Sequence, residues 1–285
     1  YDSNFNRTYN QGWRAQDAAW ISFEKKAAKA VARNLSGEDD IVLVSFGNMH
    51  LKACPSYQQA LTIEMGIGYE GVMSGFHVFE SYAWQHHVYA KNPSLWRDYH
   101  RDTVIPNYID PAMFNYAEEK GDYALYLGRV VPEKGVEWAH IAAKEAGLKL
   151  KVVGQGSERF VEERLHGVEW IRGVGVSDRA MLLSGARVLL CPTQYIEPFG
   201  GVAVEAAYSG VPVVSTDWGG FTETVINGQT GYRARDITQM VAAIRQCESI
   251  DRKICHEWGR KFTLEEVWPK YDRYFRHRLR VYNEQ

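Results

Sequence analysis

At 285 residues, 45% of them hydrophobic, the chain is long enough for two α/β domains with cores of their own and too apolar to be disordered. Its 33 basic and 35 acidic residues leave a net charge of −2, which removes any general electrostatic attraction to nucleic acid or an anionic membrane. No apolar run approaches a membrane span, no basic-then-apolar leader opens the sequence, and Cys54, Cys191, Cys247 and Cys255 lack C-x-x-C spacing, so a cytoplasmic protein with reduced thiols is expected.

Residues 1–13 carry no initiator Met and no periodicity, and read as a loop cut from something longer. Residues 17–35 have apolar positions three and four apart and predict a helix. A buried strand follows over 41–46, then Gly47-Asn-Met-His50, a second strand over 60–64, and Met65-Gly-Ile-Gly68 as the turn at its end. Together these read as half of a doubly wound domain. The stretch from His77 to Tyr89 is rich in aromatic residues and His. Adjacent His86 and His87 cannot share a helix face, so packing is expected there rather than a metal site.

Pro106 and Pro111 stiffen a passage into a second half. It opens with a strand over 122–127, ended by Gly128 and Arg129, and Lys134 stands in the turn before a helix over 136–146. Both cations can reach the crevice at the strand ends, although out of context the pair reads first as surface charges. A strand over 148–153 leads into Gly154-Gln-Gly-Ser157, and another strand and loop cover 168–174 with Arg172. Two apolar runs, 186–191 and 211–216, read as buried parallel strands around a crossover helix over 202–209 that Gly210 stops. That helix opens at Gly200-Gly201 and so presents free N–H groups and its positive end to the crevice. Glu197 precedes the turn and Glu205 lies about one turn into the helix, spaced to flank one ligand; taken singly, each is also an ordinary surface residue. Residues 263–282 have the charged and aromatic pattern of one long amphipathic helix.

Glu197-Pro-Phe-Gly-Gly-Val-Ala-Val-Glu205 resembles the E-x7-E motif of retaining nucleotide-sugar glycosyltransferases with the GT-B fold, chiefly family 4. Tyr126-Leu-Gly-Arg-Val-Val-Pro-Glu-Lys-Gly135, Asp217-Trp-Gly-Gly-Phe-Thr-Glu-Thr-Val225 and Asn227-Gly-Gln-Thr-Gly231 are similar to further blocks of that family, in the same order. The likeness runs over about residues 123–235 and is faint before 105.

The resemblance implies an α/β protein of two Rossmann-like domains facing a cleft. Residues 1–110 would form an acceptor-side domain lacking upstream sequence, 111–262 a nucleotide-sugar domain, and 263–285 a helix crossing back to the first. It implies retaining, metal-independent transfer of a sugar from a nucleoside diphosphate to an acceptor sugar, lipid-linked sugar or modified nucleobase. Arg129, Lys134, Glu197 and Glu64 are the catalytic candidates. Gly128, Gly154, Arg172, Phe199, Gly200, Gly201 and Glu205 join Arg129, Lys134 and Glu197 as donor-binding candidates. By the same analogy Glu205 holds the ribose diol, Glu197 the donor sugar, Arg172 lies along the base, and the 77–89 stretch walls the acceptor cleft. Glu64 stands at the sugar-facing edge, where family members carry a His. Retention is open between front-face attack and a glycosyl intermediate on a carboxylate. A transferase acting on modified DNA bases and a catalytically idle nucleotide-sugar-binding subunit are the alternatives.

Overall fold

The computed structural model describes residues 18–37, 39–47, 50, 51, 54, 55, 59–73 and 75–284; the loop expected at 1–13 and part of the 47–50 segment lie outside them. The chain divides into two compact units. One holds the described residues up to Phe79, Val88–Thr103 and those from Asp272 on; the other holds Glu80–His87 and Val104–Tyr271. The boundaries expected at 110 and 262 therefore fall inside the second unit.

In the first unit, helix α1 (Ala18–Asn34) precedes strands β1 (Ile41–Val44), β2 (Leu61–Ile67), β3 (Phe76–Phe79) and β4 (Thr103–Val104), which lie in that order in one sheet. β1 pairs in parallel with β2, and β2 with β3. The segment expected as a turn at 65–68 instead continues β2 as far as Ile67. The register shifts between Glu64 and Ile67, and Gly66 takes φ 62°. Glycine signals a turn and a bulge with the same freedom of φ, and here the neighbouring strand decides for the bulge.

Glu64 is fully buried on β2 and does not stand at an open edge. Its carboxylate accepts hydrogen bonds from the Gly47 N–H (2.7 Å), the Met73 N–H (2.8 Å) and the Tyr69 hydroxyl (2.7 Å). The Met73 carbonyl in turn lies 2.7 Å from His77 Nε2, while His77 Nδ1 lies 2.7 Å from Asp102 and the Tyr89 hydroxyl donates to Asp102 at 2.6 Å. An imidazole facing two acceptors carries both protons. Burial opposes that charge, but Asp102, the Met73 carbonyl and Glu64 together raise the His77 pKa above its ordinary value.

The second unit is built on six strands: β5 (Tyr123–Leu127), β6 (Lys149–Val153), β7 (Glu169–Ile171), β8 (Val188–Cys191), β9 (Val213–Thr216) and β10 (Gly231–Ala234). Their order in the sheet is β10-β9-β8-β5-β6-β7, and every pair is parallel. Both faces must then be covered, and alternate side chains supply two cores. Ala124, Tyr126, Leu150, Val152 and Leu190 pack with α3 (Val136–Glu145), α4 (Glu158–Arg164) and α8 (Ile237–Gln246). Leu125, Val153, Leu189 and Val213 pack with α5 (Val176–Ser184), α6 (Gly201–Tyr208) and α7 (Phe221–Thr224).

Helix α9 (Arg252–Gly259) closes this unit. Arg252 is buried, and its guanidinium donates to the carbonyls of Ala117 (2.7 Å), Ser184 (2.8 Å) and Ala186 (2.9 Å), fastening three chain segments with one side chain. Helices α2 (Tyr82–Lys91) and α10 (Leu264–Asn283) each begin in the second unit and end in the first.

Candidate active site

The strand order of the second sheet reverses between β5 and β8, because successive strands run outward from β5 on one side and from β8 on the other. The chains leaving these two strands part in opposite directions above the sheet and open a crevice, which is where ligands bind in such sheets. A cavity of about 110 Å³ lies there. It is lined by Gly128 and Lys134 from the segment after β5, by Thr193, Glu197, Gly200 and Gly201 from the segment after β8, and by Phe221.

Lys134 ends a 3-10 turn over Pro132–Lys134, and Gly135 then starts α3 at φ 69°. A side chain at Gly135 would meet the Pro192 carbonyl at 1.9 Å, so the two segments touch through backbone alone. This closeness brings Lys134 Nζ within 2.5 Å of Glu197 Oε2 and 4.8 Å of the Tyr195 ring centroid. Both partners are mostly enclosed, at 20% and 13% side-chain exposure. Burial alone lowers the Lys134 pKa, yet Glu197 and Tyr195 outweigh it and the ammonium is held above its ordinary value. The cavity wall is thus cationic at Lys134.

The Glu197 loop is shaped from outside by the Asp217-Trp-Gly-Gly block. The Gly220 N–H donates to the Glu197 carbonyl at 2.7 Å, and Trp218 Nε1 donates to the Tyr195 carbonyl at 3.0 Å. A Cβ on Gly219 would lie 2.7 Å from the Glu197 backbone, and one on Gly220 would lie 2.6 Å from Phe199 Cα. Asp217 anchors the block through Arg233 (2.9 Å) and Arg235 (3.0 Å).

Gly200, at φ 79°, starts α6, and a Cβ there would run into the Phe221 ring at 2.4 Å. Gly201 is different: a Cβ there meets nothing within 4 Å. The first turn of α6 therefore opens onto space at Gly201; the Ala203 N–H is taken by the Gly200 carbonyl at 2.8 Å, and it is the positive end of the helix before it that suits an anion.

Other expected site residues are placed less directly. Arg129 is exposed, does not line the cavity, and makes no ion pair among the described residues; the Tyr126 hydroxyl holds its carbonyl at 2.6 Å. Glu205 sits on α6 at 15% exposure and is ion-paired with Arg179 of α5. Cys191, at the end of β8, lies in the field of Glu197, Lys134 and Glu205 together, and burial keeps its thiol protonated.

Three further candidates are held by packing or pairing. Phe199 is buried and packs edge-on against Phe262 with ring centroids 5.9 Å apart, so its side chain belongs to the core. Arg172 pairs with Glu158 and lies over the Trp170 ring at 4.7 Å, on the surface. Gly154 is required by packing, since a Cβ there would fall 1.8 Å from the Gly128 carbonyl.

Sequence reasoning passed over Arg179 and Tyr195, and took the start of α2 only as part of the 77–89 stretch. The Ser81 hydroxyl donates to the Pro198 carbonyl at 2.5 Å, and Glu223 accepts from the Tyr82 and Ala83 N–H groups at 3.1 and 2.9 Å. Glu80, one residue earlier, has its pKa raised by burial, against a hydrogen bond from Asn107, and raised again by Glu197. This carboxyl is within the field of the cavity, and nothing in its local sequence marks it. Among the described residues no group of three His, Cys, Asp or Glu side chains is placed to hold a metal ion, and no helix is long and apolar enough to cross a membrane.

Residues 121–249 match the family model described as Glycosyl transferases group 1. Among curated proteins, the glycogen synthase of Mycobacterium tuberculosis is 37% identical over 161 residues, which is 50% of this chain and 39% of that protein. The capsular polysaccharide biosynthesis glycosyltransferase CapM of Staphylococcus aureus is 30% identical over 166 residues, 50% of this chain and 43% of its own. The chain thus spans less than half the length of these two relatives.

Among solved structures, AviGT4, a glycosyltransferase involved in avilamycin A biosynthesis, superposes with a TM-score of 0.73 at 24% identity, covering 90% of this chain and 79% of its own. The sucrose-phosphate synthase of Thermosynechococcus elongatus gives 0.66 at 18% identity over 93% and 80%. HepE of Anabaena, solved with UDP-glucose, gives 0.65 at 16% over 85% and 79%. These likenesses identify the fold as that of the GT-B glycosyltransferases.

Proposed function

Taking residues 121–249 as a group 1 glycosyltransferase domain, we propose that this protein transfers a sugar from a nucleoside diphosphate to an acceptor hydroxyl, with retention at the anomeric carbon and without a metal ion. The observation that carries the reading is the cavity at the β5/β8 reversal, where the Lys134 ammonium, the Glu197 carboxylate and the open start of α6 at Gly201 face one space. Departure of a nucleoside diphosphate builds negative charge on phosphate oxygen, and Lys134, the exposed Arg129 and the α6 amides supply the positive groups that this charge calls for.

Glu197 accepts from Lys134 at 2.5 Å and is engaged as a partner rather than left free as a nucleophile. That favours front-face attack, in which a donor phosphate oxygen takes the acceptor's proton as the new bond forms and the diphosphate leaves. HepE was solved with UDP-glucose, which makes UDP the first nucleotide to try. A cytoplasmic location suits such a donor.

The test is a thermal-shift panel of UDP, GDP, ADP and their common sugar conjugates. A ligand at about a hundred times its dissociation constant adds about 2.7 kcal/mol, and at about 2 to 4 °C per kcal/mol the melting temperature rises by roughly 5 to 11 °C. A folded protein that none of them shifts would end the nucleotide-sugar reading. Turnover of the donor that does shift it, measured with and without a chelator, then separates a transferase from an idle binder and tests metal independence.

A further inference from the structure

Glu205 uses only part of its hydrogen-bonding capacity inside the protein. Its Oε2 accepts from Arg179 Nη2, whereas Oε1 has no partner among the described residues. Arg179 stands in the first turns of α5, its N–H bonded to the Gly175 carbonyl at 3.0 Å, and its side chain is 34% exposed. Its Nε is buried and has no partner among the described residues. The pair therefore presents one free carboxylate oxygen and one unsatisfied donor.

An ionised carboxylate accepts from both hydroxyls of a diol, but a protonated one has spent an oxygen on its own proton and recognises the diol less well. Burial raises the Glu205 pKa, and Arg179 is the group that pulls it back. Glu205 also acts on the Cys191 thiol on β8, which burial keeps neutral and which Lys134 and Glu197 reach as well. Without Arg179, the enclosure of Glu205 loses the group that now offsets it.

Resting on the nucleotide reading above, we propose that Arg179 is a positioning residue of the nucleotide subsite, fixing Glu205 by Oε2 so that Oε1 faces the ribose diol of a nucleoside diphosphate. The residue acts through Glu205 and touches neither the diphosphate nor the sugar.

The experiment measures the dissociation constants of UDP, GDP and ADP by calorimetry from about pH 6 to about pH 8.5, for the wild type and for Arg179→Met, Arg179→Lys and Glu205→Gln. Dividing each variant's constant by the wild-type constant at the same pH cancels the titration of the ligand's own phosphate. For whichever nucleotide binds, Arg179→Met should be weaker by about tenfold, because Glu205 is no longer fixed by Oε2, and the loss should be greater at the acid end of the range than at the alkaline end, since burial of Glu205 is then unopposed. Arg179→Lys keeps a cation and should give a nearly level ratio, while Glu205→Gln should be weak by the same factor at every pH. Arg179→Met binding within about twofold of the wild type across the range, or Arg179→Lys binding as weakly as Arg179→Met, overturns the proposal. If Arg179→Met does not fold, Arg179→Gln replaces it with the same two outcomes. Failure of the wild type to bind any of the three nucleotides would instead strike the nucleotide reading itself.

Discussion

Replacing Lys134 by Met removes the ammonium, keeps most of the side-chain volume and leaves Glu197 enclosed with its charge unpaired. Breaking a buried ion pair from one side costs about 3 to 5 kcal/mol where water is excluded. Here the two side chains keep 20% and 13% exposure, so solvent relieves part of the penalty and about 2 to 3 kcal/mol is expected. At about 2 to 4 °C per kcal/mol, Lys134→Met should melt roughly 4 to 12 °C below the wild type. Glu197→Gln should cost less, because Lys134 retains the Tyr195 ring at 4.8 Å and some contact with solvent. The double variant leaves no orphaned charge, so it should recover about 1 to 3 kcal/mol relative to the sum of the singles. On the proposed function its turnover should nevertheless stay at least about a hundredfold down, because the cation assigned to the leaving group is missing. Thermal unfolding of the four proteins, with donor hydrolysis as the second readout, completes the cycle. A Lys134→Met protein melting within a degree of wild type, or additive losses in the double variant, would refute the pairing argument. Full turnover in the double variant would refute the role in leaving-group departure.

Arg129→Ala should leave the melting temperature nearly unchanged, since the guanidinium is exposed, but lower turnover by roughly a hundredfold; wild-type turnover would remove Arg129 from the mechanism. The two glycines that open α6 should behave oppositely. Gly200→Ala combines a left-handed backbone at φ 79° with a contact of 2.4 Å to Phe221 and should cost about 2 to 5 kcal/mol. Gly201→Ala meets no atom and should keep stability while weakening nucleotide binding by crowding the anion position, so equal melting losses in the two variants would contradict this geometry. His77 is favoured as an imidazolium by Asp102, the Met73 carbonyl and Glu64, with Tyr89 donating to the same Asp102. Its raised pKa makes the contribution complete below about pH 6.5, the unfolded value, and lost as pH rises through the folded one. Unfolding of the wild type against pH should show that decline, and His77→Gln should flatten it; a decline that persists in the variant assigns it elsewhere.

The second unit was legible because its strands are short apolar runs punctuated by Gly and Pro, and because parallel strands buried on both faces leave no other reading of such runs. Gly128, Lys134, Glu197, Gly200 and Gly201 also converge as their spacing implied, since all of them lie in the segments that leave β5 and β8. What stayed hidden depended on partners distant in sequence. Glu64 has no local feature announcing that Gly47, Tyr69 and Met73 will enclose it. Phe199 sits inside the most recognisable block of the chain, yet its contact is Phe262, 63 residues further on. Arg179 reads as any polar residue on an amphipathic helix until α6 brings Glu205 against it. The bulge in β2 was read as a turn because glycine marks both, and only pairing with β3 tells them apart.

Arg252 has an implication for how freely this sequence can drift. Its three acceptors are main-chain carbonyls of Ala117, Ser184 and Ala186, so the fastening makes no demand on which side chains those positions carry beyond the space available. The constraint falls on one codon instead of being shared among four. A saturation library read out by abundance should therefore find positions 117 and 184 permissive and position 252 closed even to Lys, whose single ammonium cannot reproduce a planar fork reaching three carbonyls at once.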